Sequence, residues 1–140
     1  MSDWWQWSPI KANQKLGFAV VGIGRFGSAV CRELLRNGAD VLAVDFSEKA
    51  IEELRQLEPT IEARVVDSTD EESMKEAGVL EMGTVVVGIS EPIEASITTT
   101  LIAKDTEGSL VKQVIARATS DLHEKMLKRV GADRVVFPSR

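Results

Sequence analysis

A glycine-rich hexapeptide, GIGRFG at residues 22–27, constrains the fold more than any other part of this sequence. An apolar block at residues 17–21 comes directly before it, and a segment with apolar residues at helical spacing follows it. The GxGxxG spacing between a strand and a helix is typical of α/β domains that hold phosphate groups. In this interpretation Gly22 permits a tight turn, Gly24 lets a phosphate approach the backbone, and Gly27 lets the helix pack on the strand.

An acidic residue at the end of the second apolar block supports this interpretation. Asp45 lies 23 residues beyond Gly22, within the spacing expected for an acid that accepts hydrogen bonds from ribose hydroxyls. Its negative charge would repel a 2′-phosphate, so the motif favours NAD or an adenosine mononucleotide over NADP. The alternative is a structural glycine turn followed by a solvated aspartate. Because loop, helix and acid all agree, the nucleotide site is the better interpretation.

Six short apolar blocks alternate with segments of helical periodicity along most of the chain. The predicted strands are residues 17–21, 40–44, 62–66, 84–89, 111–116 and 134–137. Several are nearly continuous in Val, Ile and Ala, as expected for parallel strands covered on both faces. The pattern predicts an α/β fold: a doubly wound, Rossmann-like parallel sheet of six strands in the order 3-2-1-4-5-6. A length of 140 residues leaves room for one such domain.

The domain is predicted to occupy residues 16–140. The sequence stops two residues after Pro138 without a closing helix, which is typical of a domain cut from a longer chain or of a minimal stand-alone protein. Residues 1–15 are predicted to be a flexible leader, and they contain all three tryptophans. The indoles are expected to dock on the domain. The alternative is an anchor for a partner or a membrane surface, since Trp favours interfaces.

Charge and composition exclude several classes of function. The net charge is −5, with 22 acidic against 17 basic residues, which argues against nucleic-acid binding because that draws its affinity from clustered Lys and Arg. No apolar run approaches the roughly 18 residues that a membrane span needs. The single cysteine, Cys31, cannot form an internal disulfide, and no secretory signal is apparent, so an intracellular location is expected. Cys31 falls on the apolar stripe of the first helix and is predicted to be a core residue.

Topology nominates further residues for the site, because ligands in such sheets lie across the carboxyl ends of the strands, where the strand order reverses. A guanidinium in the glycine loop, Arg25, places several donors beside the phosphates and suits a terminal phosphate. The other nominated residues follow the third, fourth and fifth strands: Asp67, Ser68 and Thr69; Gly88, Ile89, Ser90 and Glu91; and Arg117. Helix capping is an equally good explanation for Ser68 and Thr69.

The sequence contains few residues that are good candidates for catalysis. The only histidine, His123, lies on a predicted fifth helix after Ser120 and is expected to be a surface or capping side chain, while Leu122, Met126 and Val130 are predicted to face inward. No cluster has metal-ligand spacing, so no metal is predicted. A nucleotide site without catalytic groups favours a sensor over an enzyme. The alternative is the cofactor domain of an NAD-dependent oxidoreductase whose substrate domain is missing.

Five segments together resemble one known family. They are GIGRFG at 22–27, AVD at 43–45, DST at 67–69, ASITT at 95–99 and GADRVVFP at 131–138. In these segments the chain is similar to the N-terminal RCK domain (regulator of potassium conductance, TrkA-N) of KtrA/TrkA-type proteins. The resemblance runs from about residue 18 to residue 138. The Arg-Phe pair in the loop and the Gly-Ala-Asp-Arg ending are its most specific elements.

The resemblance implies a cytoplasmic regulatory subunit or domain that gates a membrane K+ channel or transporter, lying at the inner face of the membrane through that partner. Such domains form homodimers that assemble into octameric rings, and nucleotides shift the ring shape. ATP or ADP is favoured, NAD or NADH also fits, and NADP is disfavoured. By this resemblance Gly22, Gly24, Arg25 and Phe26 contact phosphates, Asp45 the ribose, and Asp67, Ser68 and Ile89 the adenine, with Arg117 near the phosphates. Related members often carry a metal-associated Glu after the final proline; Ser139 stands there here, so no metal is expected.

Overall fold

The computed structural model describes residues 17–138. Its strands are β1 (Phe18–Val21), β2 (Val41–Asp45), β3 (Glu62–Val65), β4 (Thr84–Val87), β5 (Gln113–Arg117) and β6 (Arg134–Val136). Its α-helices are α1 (Arg25–Arg36), α2 (Glu48–Leu57), α3 (Glu71–Ala77), α4 (Ile93–Asp105) and α5 (Asp121–Arg129), and a short 3-10 helix covers Val79–Glu81. The leader at residues 1–15 lies outside the described residues.

The six strands form one parallel sheet in the order β3-β2-β1-β4-β5-β6. The predicted fold class and strand order are therefore confirmed. The order reverses between β1 and β4, where Val21 is in register with Val87 on one side and with Val44 on the other. This reversal places the glycine loop, which follows β1, at the centre of the carboxyl edge of the sheet.

Alternating side chains of the strands divide the core between two layers of helices. Phe18 and Val20 of β1 pack in a cluster with apolar residues of α1 and α2. Ala19 and Val21 point to the opposite face, into a cluster that contains residues of α3, α4 and α5. Apolar side chains on both faces explain why the strand sequences are nearly continuous in Val and Ala rather than alternating with polar residues.

Cys31 is buried in the first of these clusters, as its position on the helical stripe predicts. Burial, and then the negative charge of Glu58, raise the pKa of the Cys31 thiol to about 12. The thiol therefore stays protonated and packs as a small apolar side chain.

The helix α4 buries hydroxyl groups instead of a purely apolar stripe. Ser96, Thr99 and Thr100 are fully buried on its inner face together with Ala103. Each hydroxyl has a hydrogen-bond partner. Ser96 donates to the Ile93 carbonyl, the Thr99 hydroxyl bonds to the Ser68 hydroxyl, and Thr100 donates to the Ser96 carbonyl. Satisfied bonds of this kind let polar groups occupy the interior. None of the helices that the structure describes has the length and apolar character to span a bilayer.

Candidate functional site

A cleft of about 470 Å³ opens at the carboxyl edge of the sheet, around the point where the strand order reverses. Its lining residues are Val21, Gly22, Gly24, Asp45, Phe46, Asp67, Ser68, Thr69, Gly88, Ile89, Ser90, Glu91, Pro92 and Ala95. Its size lies within the usual range of small-molecule sites. Ten of the residues predicted from the sequence lie in this lining: Gly22, Gly24, Asp45, Asp67, Ser68, Thr69, Gly88, Ile89, Ser90 and Glu91. Arg25, Phe26, Gly27 and Arg117 lie beside it.

Gly24 leaves an open space at the N-terminus of α1. It has ordinary backbone angles (φ −95°, ψ −152°), and a Cβ built on it would meet no heavy atom within 4 Å. Gly24 is exposed to the cleft, and the first-turn amides of a helix have no intrahelical acceptor. The absent side chain thus leaves room for an anion to approach amides that carry partial positive charge. This geometry fits a phosphate group.

Three other glycines hold the loop against the sheet. A Cβ on Gly27 would collide with the carbonyl oxygen of Gly22, and a Cβ on Gly88 would lie 2.9 Å from the same oxygen. Gly22 itself has φ +94°, a conformation that strongly favours glycine. Gly22, Gly27 and Gly88 are therefore required by backbone packing, whereas Gly24 is required by nothing within the described structure.

Asp45 anchors the glycine loop to the end of β2. Its Oδ2 accepts the Ile23 N–H at 2.6 Å, and its Oδ1 accepts the Ser47 N–H at 2.7 Å. Ser47 in turn caps α2, where its hydroxyl accepts the Ala50 N–H. Each carboxylate oxygen retains a second lone-pair direction, and the side chain is only half-buried at the cleft. Asp45 can therefore hold the loop and accept a ligand hydroxyl at the same time.

Asp67 and Ser68 follow β3 and form the next part of the cleft wall. The Asp67 Oδ1 accepts both the backbone N–H of Thr69 (3.0 Å) and its hydroxyl (2.6 Å). The Ser68 Oγ lies 2.7 Å from the Thr99 Oγ1 of α4. Thr69 is not the cap of α3: Asp70 has that role and accepts the Ser73 N–H at 3.1 Å. The sequence interpretation of Thr69 as a capping residue is thus wrong by one position.

Arg25 is exposed at the mouth of the cleft. It forms no ion pair with any residue from 17 to 138. A cation at the first turn of a helix is opposed by the helix dipole, and no carboxylate offsets it there. The guanidinium is therefore available to an anion that enters from solvent.

Phe26 and Arg117 pack on each other beside the loop. The Phe26 ring is buried in the core, and the Arg117 guanidinium carbon lies 5.5 Å from its centroid, a cation–π distance. The Phe26 side chain is therefore part of the core, and only its backbone can face a phosphate. Arg117 lies next to the loop rather than in the cleft wall.

His123 is the clearest correction to the sequence interpretation. It is 1% exposed, its Nε2 lies 2.7 Å from the Ser96 Oγ, and its Nδ1 accepts the Thr119 N–H at 3.1 Å. A surface position was wrong, although the bond to Thr119 does cap the turn before α5. Burial, and then the positive charge of Arg117, lower the pKa of His123 below its ordinary value.

The inward face of α5 also differs from the prediction. Leu122 and Met126 are 67% and 39% exposed, whereas His123 and Leu127 are buried. Both pairs have i, i+4 spacing, so periodicity alone could not choose between them.

Sequence reasoning missed four residues of the cleft lining: Val21, Phe46, Pro92 and Ala95. Phe46, directly after Asp45, is 75% exposed, and Pro92 and Ala95 line the wall at the start of α4. The signal for Phe46 was a large apolar residue at the end of a strand, where a turn residue is expected. Its ring offers a flat apolar surface to a ligand. Within residues 17–138, no group of His, Cys, Asp and Glu has an arrangement that could hold a metal ion.

A comparison with protein families decides where this α/β domain belongs. The model of the TrkA-N domain family matches residues 18–138. The chain belongs to the TrkA-N family. The match covers the whole sheet and every residue of the cleft, so the loop, Asp45 and the wall after β3 are parts of one TrkA-N domain.

Curated relatives of this TrkA-N domain are named as potassium uptake proteins. The chain is 40% identical over 126 residues to the Ktr system potassium uptake protein C of Bacillus subtilis, covering 90% of this chain and 55% of that protein. It is 38% identical over 123 residues to the Ktr system potassium uptake protein A of Vibrio alginolyticus, covering 88% of this chain and 54% of that protein. The chain thus spans about half the length of the curated relatives it matches.

Solved structures share the fold of this TrkA-N domain. The TrkA-N domain of the inner membrane protein ybaL from Escherichia coli superposes with a TM-score of 0.75 at 24% identity, covering 87% of each chain. The GsuK channel has been solved bound to NAD (TM-score 0.72, 86% of this chain and 21% of that one) and bound to ADP (TM-score 0.69, 86% and 31%), both at 18% identity. At these identities the likeness shows the fold alone.

Proposed function

We propose that this TrkA-N domain is a non-enzymatic sensor that binds an adenosine nucleotide in the cleft and regulates K+ transport. The observation that carries the proposal is the open space at Gly24, which faces the N-terminus of α1 in the wall of the cleft. The relatives named as Ktr potassium uptake proteins supply the K+ transport part of it. GsuK, bound to NAD in one structure and to ADP in another, supports a nucleotide as the ligand class.

In the proposed complex each part of the nucleotide meets a different strand end. The phosphates lie over Gly22 and Gly24 at the first turn of α1, and the Arg25 guanidinium neutralises a terminal phosphate. The ribose hydroxyls donate to Asp45. The base lies against Asp67, Ser68, Ile89 and Ser90, with Phe46 covering one face and Arg117 supporting the loop through Phe26. ATP or ADP is the preferred ligand, NAD and NADH also fit, and NADP is disfavoured because its 2′-phosphate would meet the Asp45 carboxylate.

The groups around the cleft suit binding better than catalysis. Carboxylates, hydroxyls and backbone groups line it, while the sole histidine is buried on α5 and bonded to Ser96. Regulation then requires that the nucleotide bind one assembled form more tightly than another, because only differential affinity shifts an equilibrium. We propose that the assembly is a ring of eight copies built from homodimers. It docks on the cytoplasmic face of a membrane K+ transporter subunit.

Calorimetric titration with ATP, ADP, NAD+, NADH and NADP+ tests the nucleotide part of the proposal. The wild-type chain is expected to bind ADP and NAD+ and to bind NADP+ at least about tenfold more weakly, since a 2′-phosphate beside a carboxylate costs about 1.4 kcal/mol or more. Asp45→Asn should weaken ADP binding by about 5- to 150-fold, through the loss of charge-assisted bonds worth about 1–3 kcal/mol. It should also reduce the discrimination against NADP+.

A matched control separates the site from overall charge. Asp40→Asn makes the same charge change at the opposite end of β2, where the side chain is exposed, and should leave every affinity unchanged. Equal binding of NAD+ and NADP+ by the wild type would overturn the assignment of Asp45 to the ribose. The transport part is tested by K+ uptake in cells whose chromosomal gene carries Asp45→Asn. Unaltered uptake and unaltered nucleotide response would refute the regulatory role.

A further inference from the structure

A buried hydrogen-bond pair connects the cleft wall to the middle of α4. Thr99 is fully buried, and its Oγ1 contacts two atoms of Ser68: the side-chain Oγ at 2.7 Å and the carbonyl oxygen at 3.2 Å. Ser68 is 8% exposed and lines the cleft. A buried threonine of α4 is therefore hydrogen-bonded directly to a residue of the candidate site.

The two contacts determine which hydroxyl is the donor. The Thr99 hydroxyl has one proton, and the carbonyl oxygen of Ser68 can only accept, so the 3.2 Å contact uses the proton of Thr99. The 2.7 Å contact must then use the proton of Ser68, with Thr99 as the acceptor. In the opposite arrangement the Thr99–carbonyl contact would hold no proton, which buried groups avoid. The Ser68 hydroxyl consequently has no proton left for a ligand and offers only lone pairs.

Asp67, like Ser68, can only accept hydrogen bonds from a ligand. Its carboxylate accepts the Thr69 N–H and hydroxyl through Oδ1, and a carboxylate offers a ligand only acceptors. Asp67 and Ser68 follow β3, the strand next to β2, whose end carries Asp45. A nucleotide whose ribose meets Asp45 would thus place its base against two neighbouring groups that both accept hydrogen bonds.

We propose that Thr99 is a specificity-determining positioning residue, which keeps Ser68 an acceptor so that the cleft selects a purine with a 6-amino group and rejects a 6-oxo purine. The inference rests on the proposed function and adds a residue of α4 to it. Adenine presents a 6-amino donor to this wall. Hypoxanthine and guanine present an oxygen, which would face the lone pairs of Asp67 and Ser68.

The test compares ADP with inosine diphosphate (IDP), which carries a 6-oxo group in place of the 6-amino group. Wild-type chain should bind ADP at least about tenfold more tightly than IDP, because a mismatched buried polar pair is left unpaired. Thr99→Val keeps the shape but frees the Ser68 proton, so the ADP-to-IDP affinity ratio should fall by about threefold or more. Thr99→Ser retains the hydroxyl and should retain the ratio.

Thr100→Val is the matched control. Thr100 is equally buried on the same helix, and its hydroxyl donates to the Ser96 carbonyl within α4, so this change should leave the ratio as it is in the wild type. If circular dichroism shows that Thr99→Val does not fold, Ser68→Ala provides the test instead. In this variant ADP binding should weaken while IDP binding does not, so the ADP-to-IDP affinity ratio should fall.

The outcomes separate the two proposals. Equal affinity of the wild type for ADP and IDP would overturn the selectivity while leaving nucleotide sensing in place. An unchanged ratio in folded Thr99→Val, or in Ser68→Ala, would overturn the role of Thr99. Failure of the wild type to bind either nucleotide would overturn both the proposed function and this inference.

Discussion

Two glycines of the same loop have opposite surroundings, and this contrast makes a sharp prediction. At Gly24 a Cβ would enter open space and the φ angle is ordinary, so Gly24→Ala should fold normally. Its cost is the loss of a favourable helix N-cap, about 0.5–1 kcal/mol. The added methyl group occupies the space assigned to a phosphate. Loss of one charge-assisted amide–phosphate bond, worth about 1.5–3 kcal/mol, should weaken ADP binding by about 10- to 150-fold.

Gly27→Ala, in contrast, should destabilise the fold, because its Cβ would collide with the Gly22 carbonyl oxygen. Gly22 cannot retreat freely, since its N–H is bonded to the Val44 carbonyl at 2.9 Å. Overpacking of this kind costs about 1–3 kcal/mol or more, while the higher helix propensity of alanine returns at most about 1 kcal/mol. The free energy of unfolding should therefore fall by up to a few kcal/mol.

Urea unfolding followed by circular dichroism measures the stability of both variants, and calorimetry with ADP measures binding. Ser120→Ala serves as the control, because it removes the cap of α5, where the hydroxyl accepts the His123 N–H, at a similar cost of about 1 kcal/mol. ADP affinity should be unchanged in that control. Wild-type ADP affinity in Gly24→Ala would refute the phosphate position, and wild-type stability in Gly27→Ala would refute the packing argument.

Three further predictions concern charged and titratable groups. Arg25→Ala should lower the preference for ATP over AMP by roughly two- to fivefold, the scale of an exposed ion pair; identical ATP, ADP and AMP affinities in wild type and variant would exclude a role in phosphate counting. Because burial raises the pKa of Cys31 to about 12, its alkylation by iodoacetamide at pH 8 should be at least about 100-fold slower in the folded chain than in urea, as mass spectrometry would show. The pKa of His123 is lowered on folding, so the unfolded state binds more protons and stability should fall as the pH drops below the ordinary histidine value near 6.5. Urea midpoints from pH 7.5 to 5.5 should show a smaller decline in His123→Asn than in wild type; equal declines would assign the effect to other groups.

The fold could be predicted because its signals are local. Continuous apolar strands, glycine ends and caps recur along the chain, and only a doubly wound sheet joins them by short parallel crossovers. The strand ends fell within a few residues of the prediction; the predicted strand at 111–116, for example, is Gln113–Arg117. Gly22, Gly24, Asp45 and the turn after β3 lie in the cleft for the same reason, since the carboxyl ends of parallel strands meet at one edge.

What could not be predicted depends on contacts between distant residues. His123 is buried because Ser96, 27 positions earlier, provides a partner for its Nε2, and no periodicity reports such a pair. Ranking side chains by polarity therefore chose Leu122 and Met126 for the inner face of α5, which was wrong. In the same way, the sequence alone does not show that the Arg117 guanidinium lies over the Phe26 ring or that Thr99 bonds to Ser68.

The buried hydroxyls of α4 have a mechanical consequence. A helix seated by aliphatic side chains can slide or roll slightly, because dispersion forces have little directionality. Hydrogen bonds tolerate only narrow ranges of distance and angle, so Ser96 and Thr99 hold α4 at one azimuth and one axial position. Any displacement of α4 would have to break these bonds together rather than stretch them gradually. The helix should consequently move as a rigid body between a few discrete positions. The loop at residues 90–92, which forms one wall of the cleft, should move with it.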